Sequence, residues 1–212
     1  MKNTLLPLTL AAAALLVLPT FGYAQAIDGG FVNGNFGRTS FDSRWIDDSD
    51  TSYGVNVGYR WAASPETLIG FEAGYVDLGK YSFPASITSL QPVNVPWTEP
   101  EIYTGRGSTK TSGWTIGANG RFNLSPNWYI GGRAGFIRAT LDSRIRINRP
   151  DNSVFRDDYT NHADGWYAGV GVGYDFKSNF SLALNYDKYS AKDQGYKLVN
   201  ADVVSVSGEY RF

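Results

Sequence analysis

The side chain best equipped for chemistry in this 212-residue chain is its single histidine, His162. It stands among Asp157, Asp158 and Asp164, with Ser153 and Thr160 supplying hydroxyls. An imidazole oriented by a carboxylate and facing a hydroxyl is the arrangement of nucleophilic hydrolysis. No nucleophile–base–orienter spacing can be read here, so no enzymatic activity is expected. The same acids could attract calcium, but they lack the regular D-x-[DN]-x-[DN]-G spacing, and no metal site is expected. The absence of cysteine removes disulfides, thiolate metal sites and thiol nucleophiles. No cofactor is implied. Lys and Arg number 19 against 20 Asp and Glu, and this near-cancellation argues against a nucleic-acid partner.

The other charges of interest sit singly within segments of strict period two, and those segments must position them. In Tyr53, Val55, Val57, Tyr59, Trp61 every second residue is large and apolar, with Gly54, Asn56, Gly58 and Arg60 between. This predicts a strand with one greasy face and one small or polar face. Ile69, Phe71, Ala73, Tyr75 against Gly70, Glu72, Gly74 repeat it, as do Trp114, Ile116, Ala118, Phe122 against Thr115, Gly117, Asn119, Arg121. Ile130, Ala134, Phe136 oppose Gly131, Arg133, Gly135, and Trp166 to Phe176 oppose Gly169, Gly171, Gly173, Asp175. Phe180, Leu182, Leu184, Tyr186 oppose Ser181, Ala183, Asn185, Asp187, and Val204, Val206, Tyr210, Phe212 oppose Ser205, Ser207, Glu209, Arg211. With Phe31 to Gly37, whose phase the pattern leaves open, eight strands are predicted. The 24 glycines and 32 aromatics (6 Trp, 14 Tyr, 12 Phe) thus divide between two faces.

Connections alternate in length. Ala63 to Glu66, Leu124 to Asn127 and Lys177 to Asn179 carry tight-turn chemistry. Thr39 to Ser52, Lys80 to Thr111, Asp142 to Asp164 and Ser190 to Asn200 are expected to be long charged loops, the second punctuated by Pro84, Pro92, Pro96 and Pro100. Short turns on one rim and long loops on the other is the asymmetry of bacterial outer-membrane barrels. A soluble barrel would point its apolar face inward and carry charges outside. The expected fold is therefore all-β: an eight-stranded antiparallel transmembrane barrel in up-and-down order, closed so that no backbone polar group meets lipid unpaired. Tyr53, Trp61, Trp114, Trp128, Tyr129, Trp166, Phe176, Phe180, Tyr210 and Phe212, at or near strand ends, are expected to form two aromatic girdles.

Residues 1–26 carry Lys2, an apolar run from Leu5 to Leu18 and the small-x-small pattern Ala24-Gln25-Ala26, which predicts a cleaved signal peptide and export. Residues 27–212 then form one outer-membrane barrel domain.

The residues resemble the outer-membrane protein A (OmpA)-like barrel family over essentially 29 to 212. The most specific pieces are Ile69-Gly70-Phe71-Glu72-Ala73-Gly74-Tyr75 followed by Leu78-Gly79, Ser112-Gly113-Trp114 through Asp142, and Ser205-Val206-Ser207-Gly208-Glu209-Tyr210-Arg211-Phe212. The resemblance implies the transmembrane barrel without the family's periplasmic peptidoglycan-binding domain. It also implies that the final strand, through Tyr210 and Phe212, is the segment met by the barrel-assembly machinery. The family's gate resembles a glutamate that switches between basic partners. Glu72 matches that glutamate, but Asn119, Gly173 and Ala183 replace the other gate positions, so the gating mechanism does not carry over.

By strand phase Arg60, Glu72, Arg121, Arg133, Asp175, Glu209 and Arg211 point inward. Charges removed from water must pair, and Glu72 is expected to meet Arg133 across the lumen while the others form a lower layer. The expected function is a monomeric structural and surface-interaction protein of the bacterial outer membrane. Its lumen is charge-paired and largely plugged, and its loops meet lipopolysaccharide, host surfaces or phage. Arg144, Arg146, Arg149 and Arg156, alternating with Asp142, Asp151, Asp157 and Asp158, could bind lipopolysaccharide phosphates. The alternative is a narrow, low-conductance pore for ions or very small solutes.

Overall fold

A computed structural model of the chain describes residues 28–43, 46–88, 102–148, 154–176, 179–193 and 196–212. The expected signal peptide lies outside the described residues, as do Arg149, Asp151, Ser153, Pro92, Pro96 and Pro100. The described elements are eight strands: β1 (Gly29–Ser43), β2 (Ile46–Ala62), β3 (Thr67–Thr88), β4 (Ile102–Asn123), β5 (Trp128–Asn148), β6 (Val154–Asp175), β7 (Phe180–Asp193) and β8 (Tyr196–Arg211). They form a closed barrel in chain order, each strand antiparallel to the next and β8 paired back to β1. Closure leaves no open sheet edge.

The first two short turns form as their sequences direct, while Lys177 and Ser178 of the third lie outside the described residues. In the first, Ala63 N–H donates to Thr67 O at 2.8 Å and Thr67 N–H to Ser64 O at 3.2 Å. In the second, the Ser125 hydroxyl accepts from the N–H of Trp128 at 3.0 Å, with Leu124 N–H donating to Trp128 O at 2.8 Å. Asn179 takes the left-handed conformation, φ 55°, in the third, as Asn readily does.

Period two runs through the lower part of every strand. Phe136 is 74% exposed and its neighbour Ile137 2%. The phase left open for β1 is now assigned: Phe31 is buried inside with Asn33 and Asn35 beside it, while Val32 and Phe36 face outward.

The long charged loops are corrected. β1 and β2 stay paired from Gly29↔Arg60 to Ser43↔Ile46, β3 and β4 to Thr88↔Ile102, β5 and β6 to Asn148↔Val154, and β7 and β8 to Asp193↔Tyr196. The expected loops are therefore mostly continuations of the barrel wall. Their alternation has the opposite polarity, apolar inward and polar outward. Asp142, Arg144, Arg156 and Asp158 in those stretches lie on the exposed face of the strands.

The outward face changes character within one two-residue step on all eight strands: Phe36 to Arg38, Tyr53 to Thr51, Tyr75 to Asp77, Trp114 to Ser112, Phe136 to Arg138, Trp166 to Asp164, Tyr186 to Lys188 and Val204 to Asp202. A β-bulge between Asp77 and Gly79 marks this ring on β3. Gly79 has φ +87°, which a side chain would strain. The Asp77 carboxylate accepts from Gly79 N–H at 2.9 Å and Tyr53 Oη at 2.8 Å, and pairs with Lys110 Nζ at 2.7 Å.

Candidate functional site: the lumen and the outer wall

Below the ring, toward the short turns, the interior is polar and paired. Arg60 on β2 reaches Glu209 on β8 through two bonds, Nη1 to Oε1 at 2.6 Å and Nη2 to Oε2 at 3.0 Å. Its Nε donates to Asn119 Oδ1 at 2.6 Å, and its guanidinium carbon lies 3.8 Å above the Phe31 ring centre. Arg121 pairs with Asp175 and donates to Asn123 Oδ1 at 3.0 Å. Its guanidinium lies 3.6 Å from the Tyr129 ring centre. Arg211 Nη2 stands 3.1 Å from the other Asp175 oxygen. This is the lower layer. Tyr129 belongs to it and not to the outer girdle: it is 8% exposed, and Trp128 takes the outward position. Parity places Tyr129 with Gly131 and Arg133, a stronger constraint than its nearness to a strand end.

A second charged cluster stands above. Arg133 holds Asp187 in a fork, Nε to Oδ1 at 2.7 Å and Nη2 to Oδ2 at 2.8 Å, while its Nη1 is 3.8 Å from Glu72 Oε1. Glu72 accepts from Tyr167 Oη at 2.8 Å, and the Tyr167 and Tyr189 rings stack with centroids 5.9 Å apart. Gly117 and Gly135 make space for Tyr167: a β-carbon would stand 2.6 Å from its Oη at the first and 2.8 Å from its ring at the second. Asp187, Tyr167 and Tyr189 were not among the expected site residues. Their signal was available, since 187 shares parity with Ser181, Ala183 and Asn185, and 167 with Gly169, Gly171 and Gly173.

The ion pairs join Arg60, Arg121, Arg133 and Arg211 to Glu72, Asp175, Asp187 and Glu209, so formal charge cancels across the lumen. The space between them is a cavity of about 70 Å³, bordered by Asn33, Asn35, Asn56, Asn119 and Asn185. Ligand pockets usually run to roughly 300–1,000 Å³, so this one accommodates a few waters and no organic ligand.

Above the tyrosine pair the interior turns apolar. Val76, Leu78, Ile137, Ala139, Leu141, Ala163, Ala191, Val199, Ala201 and Val203 are buried together, with Tyr81 packed against them.

Outside, rings crowd both borders of the apolar band. Tyr59, Trp61 and Phe71 touch in sequence on one side of the lower border, as do Trp128, Tyr174, Phe176 and Phe180 on the other. Tyr210 and Phe212 lie 6.1 Å apart and face outward, Phe212 being 73% exposed. At the upper border Tyr75 meets Trp114 at 5.2 Å. Between the borders Val55, Val57, Ile116, Val170 and Val206 are exposed on the outer face. In water this band would be untenable; in lipid it is the expected surface.

His162 is exposed on the outer wall, its Nδ1 3.3 Å from Thr140 Oγ1. Thr160 donates to Asp142 at 2.7 Å, and Asp164 lies 3.9 Å from Arg138. Among the described residues no group of three His, Asp or Glu side chains converges on a metal position.

A closed eight-stranded wall with this exterior matches one family over nearly the whole chain: the outer membrane protein beta-barrel domain, over residues 8–212. The chain belongs to that family. It is a protein of the bacterial outer membrane, and its apolar band meets lipid. Among solved structures, the attachment invasion locus protein Ail of Yersinia pestis matches with a TM-score of 0.51 and 13% identity, covering 87% of this chain and 97% of Ail. Neisserial surface protein A matches at 0.48 with 16% identity, covering 88% of this chain and 100% of that one. The outer membrane protease OmpT of Escherichia coli matches at 0.46 with 10% identity, over 92% and 99%. At 13% identity the likeness to Ail speaks to the shared fold alone. No curated protein sequence matches the chain.

Proposed function

We propose that this outer-membrane barrel is a structural and surface-interaction protein with a closed lumen and without catalytic activity. Its extracellular stalk, the part of the wall above the ring, meets lipopolysaccharide or external partners. The observation that carries the reading is the stacking of two unlike seals along one axis, four arginines paired with four acids and, above them, the apolar cluster around Ile137, Leu141 and Val199. A hydrated ion would have to separate buried pairs, at a cost of several kcal/mol, and then cross a segment packed largely with apolar side chains.

Planar-bilayer recording of the refolded protein tests the closed lumen. Silence across a wide voltage range is expected. Steady unitary steps that disappear in Glu72→Ala would establish the narrow-pore reading instead. We also assign the assembly signal to the outward-facing Tyr210 and Phe212. Deletion of Phe212 is expected to lower the yield of membrane-inserted protein in cells, and unchanged yield would overturn that assignment.

A further inference from the structure

On the outer wall of the stalk, β4, β5 and β6 run side by side, and their register sorts the outward residues into rungs. From the ring upward these are Trp114–Arg138–Asp164, Ser112–Thr140–His162, Lys110–Asp142–Thr160 and Ser108–Arg144–Asp158. Each of these four rungs is uncharged or holds one cation and one anion. The fifth is Arg106–Arg146–Arg156, three arginines directly opposite one another on adjacent strands. All three are exposed, and none donates a hydrogen bond to, or pairs with, any described residue.

Like charges directly opposite across a sheet destabilise it, and among the described residues no acid stands directly opposite any of the three. Adjacent strands are roughly 5 Å apart, so the three guanidinium groups can close on one multivalent anion, each able to bond an oxyanion through a planar fork. Position narrows the ligand. Arg106 lies eight residues beyond Trp114 on β4, which at ~3.4 Å per residue and a strand tilt near 40° is about 20 Å above the aromatic border. That is above the phosphate level of a lipid headgroup. The rung also faces sideways along the membrane. A molecule lying against it belongs to the saccharide layer of the same leaflet.

We propose that Arg106, Arg146 and Arg156 form a binding site for the phosphate groups of the lipopolysaccharide core oligosaccharide. The site deepens the reading of a stalk that contacts lipopolysaccharide, and rests on it.

Calorimetry on the refolded barrel in detergent would use four probes: phosphorylated core oligosaccharide, the same oligosaccharide after phosphatase, a heparin fragment, and whole lipopolysaccharide. The phosphorylated core is expected to bind at least about tenfold more tightly than its phosphatase-treated form, and to lose at least about tenfold in the triple variant R106Q/R146Q/R156Q. Binding should vanish at 1 M salt, where charges are screened beyond about 3 Å. Arg138→Gln, on the rung that Asp164 already balances, should bind like the wild type. The triple variant should unfold at the same or a higher denaturant concentration, since it relieves repulsion; an earlier midpoint would mean that the arginines are structural and would overturn the site. Wild-type binding of whole lipopolysaccharide that the triple variant retains would also overturn the site while leaving the broader reading intact. No binding of either lipopolysaccharide or core would end both. Tighter binding of heparin than of phosphorylated core would overturn the assignment to the membrane's own saccharide.

Discussion

Below the ring at which the wall changes character, the barrel is apolar outside and polar inside. Above it, the same strands are polar outside and largely apolar inside. On β5 the reversal occupies three residues: Phe136 exposed, Ile137 buried, Arg138 exposed. Both halves share one hydrogen-bonded wall, so the difference lies in what each surface faces. The lower half has lipid around it and gains nothing from burying Leu or Val in its lumen. It fills that lumen with small residues and paired ions. The upper half has water around it and gathers an apolar interior as a soluble barrel does. The proposed seal along the axis would follow from this change of solvent.

Substitutions can break the contrast at chosen points. The largest expected effect is in the lower lumen. Asp187→Ala leaves the Arg133 guanidinium with a single distant carboxylate, Glu72 at 3.8 Å, and should destabilise the barrel by about 3–5 kcal/mol. Urea refolding into lipid vesicles measures it, and a loss below about 1 kcal/mol would mean that the pairs do not hold the lumen together.

Next comes the truncation of a buried residue in the upper half. Leu141→Ala, at a position 4% exposed within the apolar cluster, should cost about 2–4 kcal/mol. The cost should appear as protease sensitivity of the stalk, while the heat-dependent gel shift of the membrane barrel persists. A variant as protease-resistant as wild type would place Leu141 outside any packed core.

The third perturbation compares two outward positions on β2. Val57→Arg, in the lipid band, should cost roughly 2–4 kcal/mol by depth, whereas Thr51→Arg, above the ring, should stay within about 0.5 kcal/mol of wild type. Equal tolerance would remove the boundary.

Much of the architecture is legible in the sequence, because lipid rewards a clean alternation of large apolar and small polar residues. Tyr53 to Trp61 or Trp166 to Asp175 can hardly be read otherwise. The inward set from Arg60 to Arg211 follows from parity once each strand is recognised. The upper wall is harder to read. Outward charges such as Arg144, Asp158 and Lys192 are what a loop also carries, and the inward partners Ile137, Ala139 and Leu141 seem isolated when only one polarity is sought. Tyr129 shows a second limit. Nearness to a strand end suggests a girdle, but a ring on the inner parity stacks on Arg121 instead. Asp187 shows a third, since its fork with Arg133 depends on two strands meeting across the lumen at one height, which no single-strand pattern encodes. The three-arginine rung is likewise a property of register, because Arg106, Arg146 and Arg156 lie far apart along the chain.

The reversal can be measured directly, because the chain contains no cysteine and single cysteines can carry spin labels without background. Labels at positions 136, 137, 138 and 141, in protein refolded into lipid vesicles, would be compared for relaxation by oxygen, which concentrates in lipid, and by a water-soluble nickel complex. The label at Phe136 should respond to oxygen, the label at Arg138 to nickel, and labels at Ile137 and Leu141 to neither. Nickel access at Ile137 and Leu141 would mean that water fills the upper lumen, and the account of a barrel sealed by its own change of polarity would be wrong.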